Sequence, residues 1–126
     1  MKPKTILTSL VIASLVILIV GCSSASSCTD VPINMSDMQA LQNEVDQGHT
    51  VGKIDAEQVT REFLSVNLQI PADQVETVEP VSGSSSESKA EYLVTLTDGT
   101  KYEIYLTKPV RQDPTGIWAV EKYCKK

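Results

Sequence analysis

Apolar residues follow three regimes along the chain: a continuous block from Thr5 to Val20, helical spacing between Ser36 and Ile70, and alternation from Ala90 onward. In the second regime Met38, Leu41 and Val45 recur at three- and four-residue steps. With Ser36 as N-cap and Gly48 as stop they predict a helix of about three turns. A second helix is expected from Asp55 as N-cap with Gln58 as capping-box partner. It carries Val59, Phe63, Val66 and Ile70 on one face with Leu64 beside them, and ends near Ile70 because Pro71 disfavours helical geometry before it. Val75, Val78 and Val81 then suggest an extended segment interrupted by Pro80, and residues 82–88, rich in Ser and Gly, read as a loop.

The clearest local signal is the pair of β-rich runs Ala90 to Thr97 and Thr100 to Thr107, joined at Asp98-Gly99. A two-residue turn would set Val94 against Glu103 and Leu96 against Lys101, mixing apolar and charged positions. A three-residue loop Thr97-Asp98-Gly99, with Gly99 left-handed, instead pairs Leu96 with Thr100, Val94 with Tyr102 and Tyr92 with Ile104. That register gives one apolar face, so it is the expected one, with Leu93, Thr95, Lys101, Glu103 and Tyr105 on the solvated side. Residues 111–116 read as a turn, and Ile117 to Tyr123 as a last strand with Trp118, Val120 and Lys122 on one face. The expected class is α+β: one or two N-terminal helices packed on a three- to four-stranded antiparallel sheet.

The first regime belongs to a different kind of segment. Lys2 and Lys4 precede an apolar run of about 16 residues, shorter than the roughly 20 that span a bilayer comfortably, and Gly21-Cys22 follows. This is the three-zone layout of a secretory signal, and the charge asymmetry orients the remainder outside the cytoplasm. Ile19-Val20-Gly21-Cys22 resembles the lipobox of bacterial lipoproteins, with Ile19 where Leu is usual. The resemblance implies cleavage between Gly21 and Cys22 and a diacylglyceryl group on the Cys22 thiol, which makes the membrane the first partner. Two acyl chains, at about 0.8 kcal/mol per buried methylene, anchor stably where one does not. The expected organisation is residues 1–21 as signal peptide, 22–35 as flexible tether and 36–126 as a small domain.

Charge narrows the partners. Without Lys2 and Lys4 the chain retains 9 basic and 16 acidic residues, a net charge of −7. Such a surface repels phosphates, which argues against nucleic acid and against a polybasic membrane patch. If Cys22 carries lipid, Cys28 and Cys124 remain, in a compartment where a disulfide persists. Bridging them would close a loop of about 100 residues, stabilising by up to roughly 4.7 kcal/mol in the chain-entropy model; the alternative is two unpaired thiols.

Chemistry-bearing motifs are sparse. His49 is the only histidine, in a Gly-rich loop without nearby metal-ligating partners. Residues 84–88 lack a nucleophile elbow, and Asp73, Glu76 and Glu79 read as surface carboxylates. Tyr92, Tyr102, Tyr105 and Trp118 at alternating positions read as sheet packing rather than a ligand groove. No catalytic, metal or cofactor residue is expected. The order of helices followed by an antiparallel sheet, with the closing Gly116-Ile117-Trp118-Ala119-Val120, is similar over about residues 55–123 to small cystatin-like or nuclear-transport-factor-two-like domains of bacterial lipoproteins, which often bind ligands between helix and sheet. The functional expectation is a tethered binding or interaction module, with an accessory subunit of an envelope complex, or a small surface hydrolase, as the alternatives.

Overall fold

A computed structural model describes residues 26–126. The signal segment and Cys22 lie outside the described residues. The described chain is α+β, with two helices packed against a five-stranded antiparallel sheet. Strand β1 is Ser27–Asp30, helix α1 Met35–Asp46 and helix α2 Ala56–Val66; strands β2 (Val75–Pro80), β3 (Lys89–Leu96), β4 (Lys101–Thr107) and β5 (Ala119–Lys125) follow. Short 3₁₀ turns occupy Val51–Ile54 and Ala72–Gln74. The sheet order is β1-β5-β4-β3-β2: a four-stranded meander with the N-terminal strand added beside the last one.

That fifth strand corrects both the strand number and the tether. Ser27–Asp30 pairs with β5 in register Ser27↔Lys125 to Asp30↔Lys122, and Cys28 is disulfide-bonded to Cys124. The apolar pattern could not reveal β1 because all four of its residues are exposed. Residues 31–34 are fixed as well, through Val31 packing on the core and Asn34 capping α1, so the expected tether 22–35 extends into the folded domain.

Helix α1 starts ahead of the expected Ser36 cap. The Asn34 side-chain oxygen accepts from Ser36 N at 3.0 Å and Asp37 N at 3.4 Å, satisfying two otherwise orphaned donors. The helix ends as expected at Gly48, which adopts φ +84° while Gly48 N donates to Val45 O and His49 N to Glu44 O, both 2.9 Å. Helix α2 is capped by Asp55, whose Oδ1 accepts from Glu57 N and Gln58 N. The Gln58 side chain packs against Gly52 instead of reaching back; a Cβ on Gly52 would fall 2.3 Å from Gln58 Nε2.

Helix α2 stops at Val66, short of the expected Ile70. Asn67 N and Leu68 N share the Phe63 carbonyl, Gln69 turns left-handed at φ +54°, and Ile70 N donates to Leu64 O. Ile70 therefore enters the core from outside the helix, and Val66, expected on the buried face, is 66 % exposed. The face of α2 that is buried is Val59, Thr60, Phe63 and Leu64, with Thr60 Oγ1 donating to Ala56 O so that its hydroxyl is satisfied.

The hairpin follows the three-residue register: Tyr92 faces Ile104, Val94 faces Tyr102, Leu96 N donates to Thr100 O at 2.8 Å, and Gly99 has φ +88°. Val94, Leu96, Ile104 and Leu106 of the hairpin join Val78, Ala90 and Val120 as the sheet's contribution to the core under α2. Strand β5 begins at Ala119 rather than Ile117, because the donors of Ile117 and Trp118 are taken by Gln42 Oε1 at 3.0 Å and Lys53 O at 2.8 Å. A register shift opposite Tyr105/Leu106 leaves one extra residue in β5, so Lys122 pairs with Tyr105 on the far face while Val120 pairs with Leu106 in the core. The expectation that both share a face is thereby corrected.

Candidate functional site

A groove of about 290 Å³ runs between α1 and α2 over the start of β5. Its position follows from how α1 is held. Only Gln42 and Val45 of that helix are buried, and Gln42 sends its side chain sideways into the loop before β5 rather than toward α2. Gln42 Nε2 donates to Thr115 O at 3.0 Å and to Asp46 Oδ1 at 3.2 Å, while Oε1 accepts from Ile117 N. One turn on, Asp46 accepts two hydrogen bonds from Arg111, at 2.9 and 2.8 Å. This pairing holds the Asp46 carboxyl below its ordinary pKa and the Arg111 guanidinium above its own. The loop is thus clamped to one flank of α1, and the other flank, carrying Met38 and Leu41, faces the open groove.

The same loop positions Trp118. Gly116 lets its two limbs meet, since a Cβ there would lie 1.7 Å from Arg111 O. Lys108 is 6 % exposed; its Nζ donates to Asp113 O at 2.6 Å and stands 4.8 Å from the Trp118 ring centroid. The cation backs the indole and fixes its orientation. Trp118 then joins Val59 and Phe63 of α2 and Val120 of β5 as the apolar wall facing Met38 and Leu41. Polar groups stand at the rim: Asn34 and Asp37 from α1's first turn, Asn67 after α2, and the ion pair of Lys53 with Glu62.

An apolar interior with polar groups at the edge suits an amphipathic ligand. The residues that line the groove include no hydroxyl, thiol or imidazole side chain; its ionisable groups are Asp37, Lys53 and Glu62, with Lys53 paired to Glu62. A second depression of about 380 Å³ lies between α2 and the start of β2, lined by Leu64, Ile70 and Val75 with Gln58 and Arg61. It is formed where the chain leaves α2 for the sheet.

The residues singled out from sequence are spread apart. The Cys28–Cys124 bridge lies toward the opposite end of β5 from Trp118. His49 is exposed, with Nδ1 3.4 Å from Glu44 Oε2. Asp73, Glu76 and Glu79 are exposed on the turn and strand at the β2 edge. Tyr92 and Tyr102 pack against the core, and Tyr105 lies on the far sheet face, where the Lys122 ammonium is 4.3 Å from its ring. Trp118 is the exception, since it lines the groove rather than serving only as sheet packing. Among the described residues no group of three His, Cys, Asp or Glu side chains is placed to hold a metal ion, and no helix is long and apolar enough to cross a membrane.

No protein-family model, no curated protein and no solved structure matches this chain.

Proposed function

We propose that this chain is an extracytoplasmic lipoprotein, anchored through lipid on Cys22, whose domain binds an amphipathic ligand in the groove between α1 and α2. The observation that carries the binding reading is the groove itself: Trp118, Phe63, Met38 and Leu41 meet around an open cleft instead of closing on one another. The anchoring reading is supported by the three-zone N-terminus ending in Ile19-Val20-Gly21-Cys22. A disulfide between Cys28 and Cys124 also suits an oxidising compartment. The resemblance to cystatin-like domains, carried by the segment from Gly116 to Val120, points to the same region.

Two measurements test the two halves. Expression of the full chain with a labelled fatty acid should give label on the N-terminal Cys22 peptide, and Cys22→Ala should abolish both label and membrane retention; unchanged retention would remove the anchoring reading. Trp118 is the only tryptophan, so its emission reports on the groove alone. Titration with 8-anilinonaphthalene-1-sulfonate should give saturable energy transfer from Trp118 that Leu41→Lys abolishes. Transfer that is absent, or equal in the variant, would remove the binding reading.

A further inference from the structure

We propose that the Cys28–Cys124 bridge is a redox-sensitive strap that sets how far the domain stands from its lipid anchor; this rests on the anchoring of Cys22 proposed above. Strand β1 is attached to the domain in an unusual way. All four of its residues are exposed, so it buries no side chain in the core and is held by its backbone ladder to β5 and by one covalent bond. The next residue, Val31, packs on the core and donates its N–H to Glu121 O at 2.9 Å. A strand without core burial can leave without opening the core behind it, and Val31 marks where the release stops.

The two cysteines differ in exposure. Cys28 is an exposed residue, whereas Cys124 is 2 % exposed. A dithiol reductant therefore reaches Cys28 first. Its thiolate attacks the Cys28 sulfur, the S–S bond breaks, and Cys124 leaves as a thiolate that takes up a proton. The reductant's second thiol then displaces Cys28 as a thiol, and the reductant departs as its own disulfide, having supplied both electrons.

The geometric consequence is a change of reach. With β1 in place, the chain from Cys22 to Ser27 spans at most roughly 17 Å, taking about 3.4 Å per residue. With β1 released, the chain from Cys22 to Val31 spans at most roughly 31 Å on the same basis. The bridge thus selects between a domain held against the membrane and one able to move away from it.

The test uses the full lipidated chain, purified from membranes and placed in vesicles carrying a dansyl headgroup lipid, with and without dithiothreitol. Amide exchange at 27–30 should accelerate by about tenfold or more on reduction while β3 and β4 stay unchanged, and energy transfer from Trp118 to the dansyl surface should fall. Cys28→Ser should reproduce both effects without reductant. Continued protection of 27–30 would overturn the strap, and so would loss of protection across the whole sheet, which would make the bridge a general staple. Faster exchange at 27–30 with unchanged transfer would overturn the change of reach. Membrane retention of Cys22→Ala fails the anchoring reading separately, because exchange at 27–30 is measured independently of lipid.

Discussion

Gln42 Oε1 accepts the Ile117 N–H at 3.0 Å across 75 residues of sequence, and the same carboxamide donates to Thr115 O. Gln42 is 1 % exposed, so losing its side chain takes the partner from a buried backbone donor. Gln42→Ala should therefore cost about 1–3 kcal/mol, the desolvation penalty for stranding the buried Ile117 donor. Urea unfolding would measure this, and a shift of Trp118 emission in the folded variant would show that the loop before β5 had moved.

Gly116 and Gly99 should fail for different reasons. At Gly99 nothing lies within 4 Å of an added Cβ, but φ is +88°, so Gly99→Ala should cost about 1–2 kcal/mol from backbone strain alone. At Gly116 the obstacle is the Arg111 carbonyl, which cannot rotate away, and Gly116→Ala should destabilise by about 1–3 kcal/mol or more through forced backbone movement. Chemical denaturation would rank the two. Only the Gly116 variant should also perturb Trp118 fluorescence.

The contrast between these positions shows what the sequence reveals. The β3–β4 hairpin was legible because its register follows from two facts about one short stretch: the alternation around Val94 and Ile104, and a glycine at the left-handed position. The Asp55 cap and the Gly48 stop were legible for the same local reason. Strand β1 was not, since Ser27–Asp30 has no buried face to leave a pattern and is defined by a partner at the other end of the chain. Nor was the end of α2, where Val66 and Ile70 have helical spacing but a left-handed Gln69 sends only Ile70 inward. In the groove, the apolar stripe of Met38 and Leu41 was visible as a helix face. That it remains partly uncovered depends on Gln42, a polar residue whose long-range role has no signature in spacing.

Acid should loosen the loop clamp. The side-chain hydrogen bond from Arg111 lowers the Asp46 pKa below its ordinary 3.8. The Thr115 hydroxyl does the same for Asp113, the Thr100 N–H for Asp98 and the Lys126 ammonium for Glu103. The folded state thus binds fewer protons than the unfolded chain in this range, so these contributions are complete above the ordinary values and lost as pH falls through the lowered ones. The urea midpoint should stay flat near neutrality and drop below about pH 4. Asp46→Asn should make that drop shallower.

On the alkaline side Tyr92 and Tyr105 are both raised by burial, and Tyr105 is the more strongly shifted. Burial, reinforced by the hydrogen bond its hydroxyl donates to Glu103 Oε2 at 3.0 Å, raises its pKa from 10.0 to about 12. Its neutral form is favoured in the fold, so this stabilisation is present below 10 and lost as pH rises toward 12. Phenolate absorbance should show a late ionisation phase near 12, absent in Tyr105→Phe.

The pairing of β1 with β5 also orders events in time. A chain delivered N-terminus first presents Cys28 before Cys124, which follows 96 residues later, so β1 has no partner strand until β5 has emerged. Until then Cys28 is an unpaired thiol beside an incomplete sheet, available to whatever oxidises or shields thiols at the point of delivery. Closure of the sheet at β1 in this way waits for β5, and removal of 122–125 would leave the first strand without a place to bind.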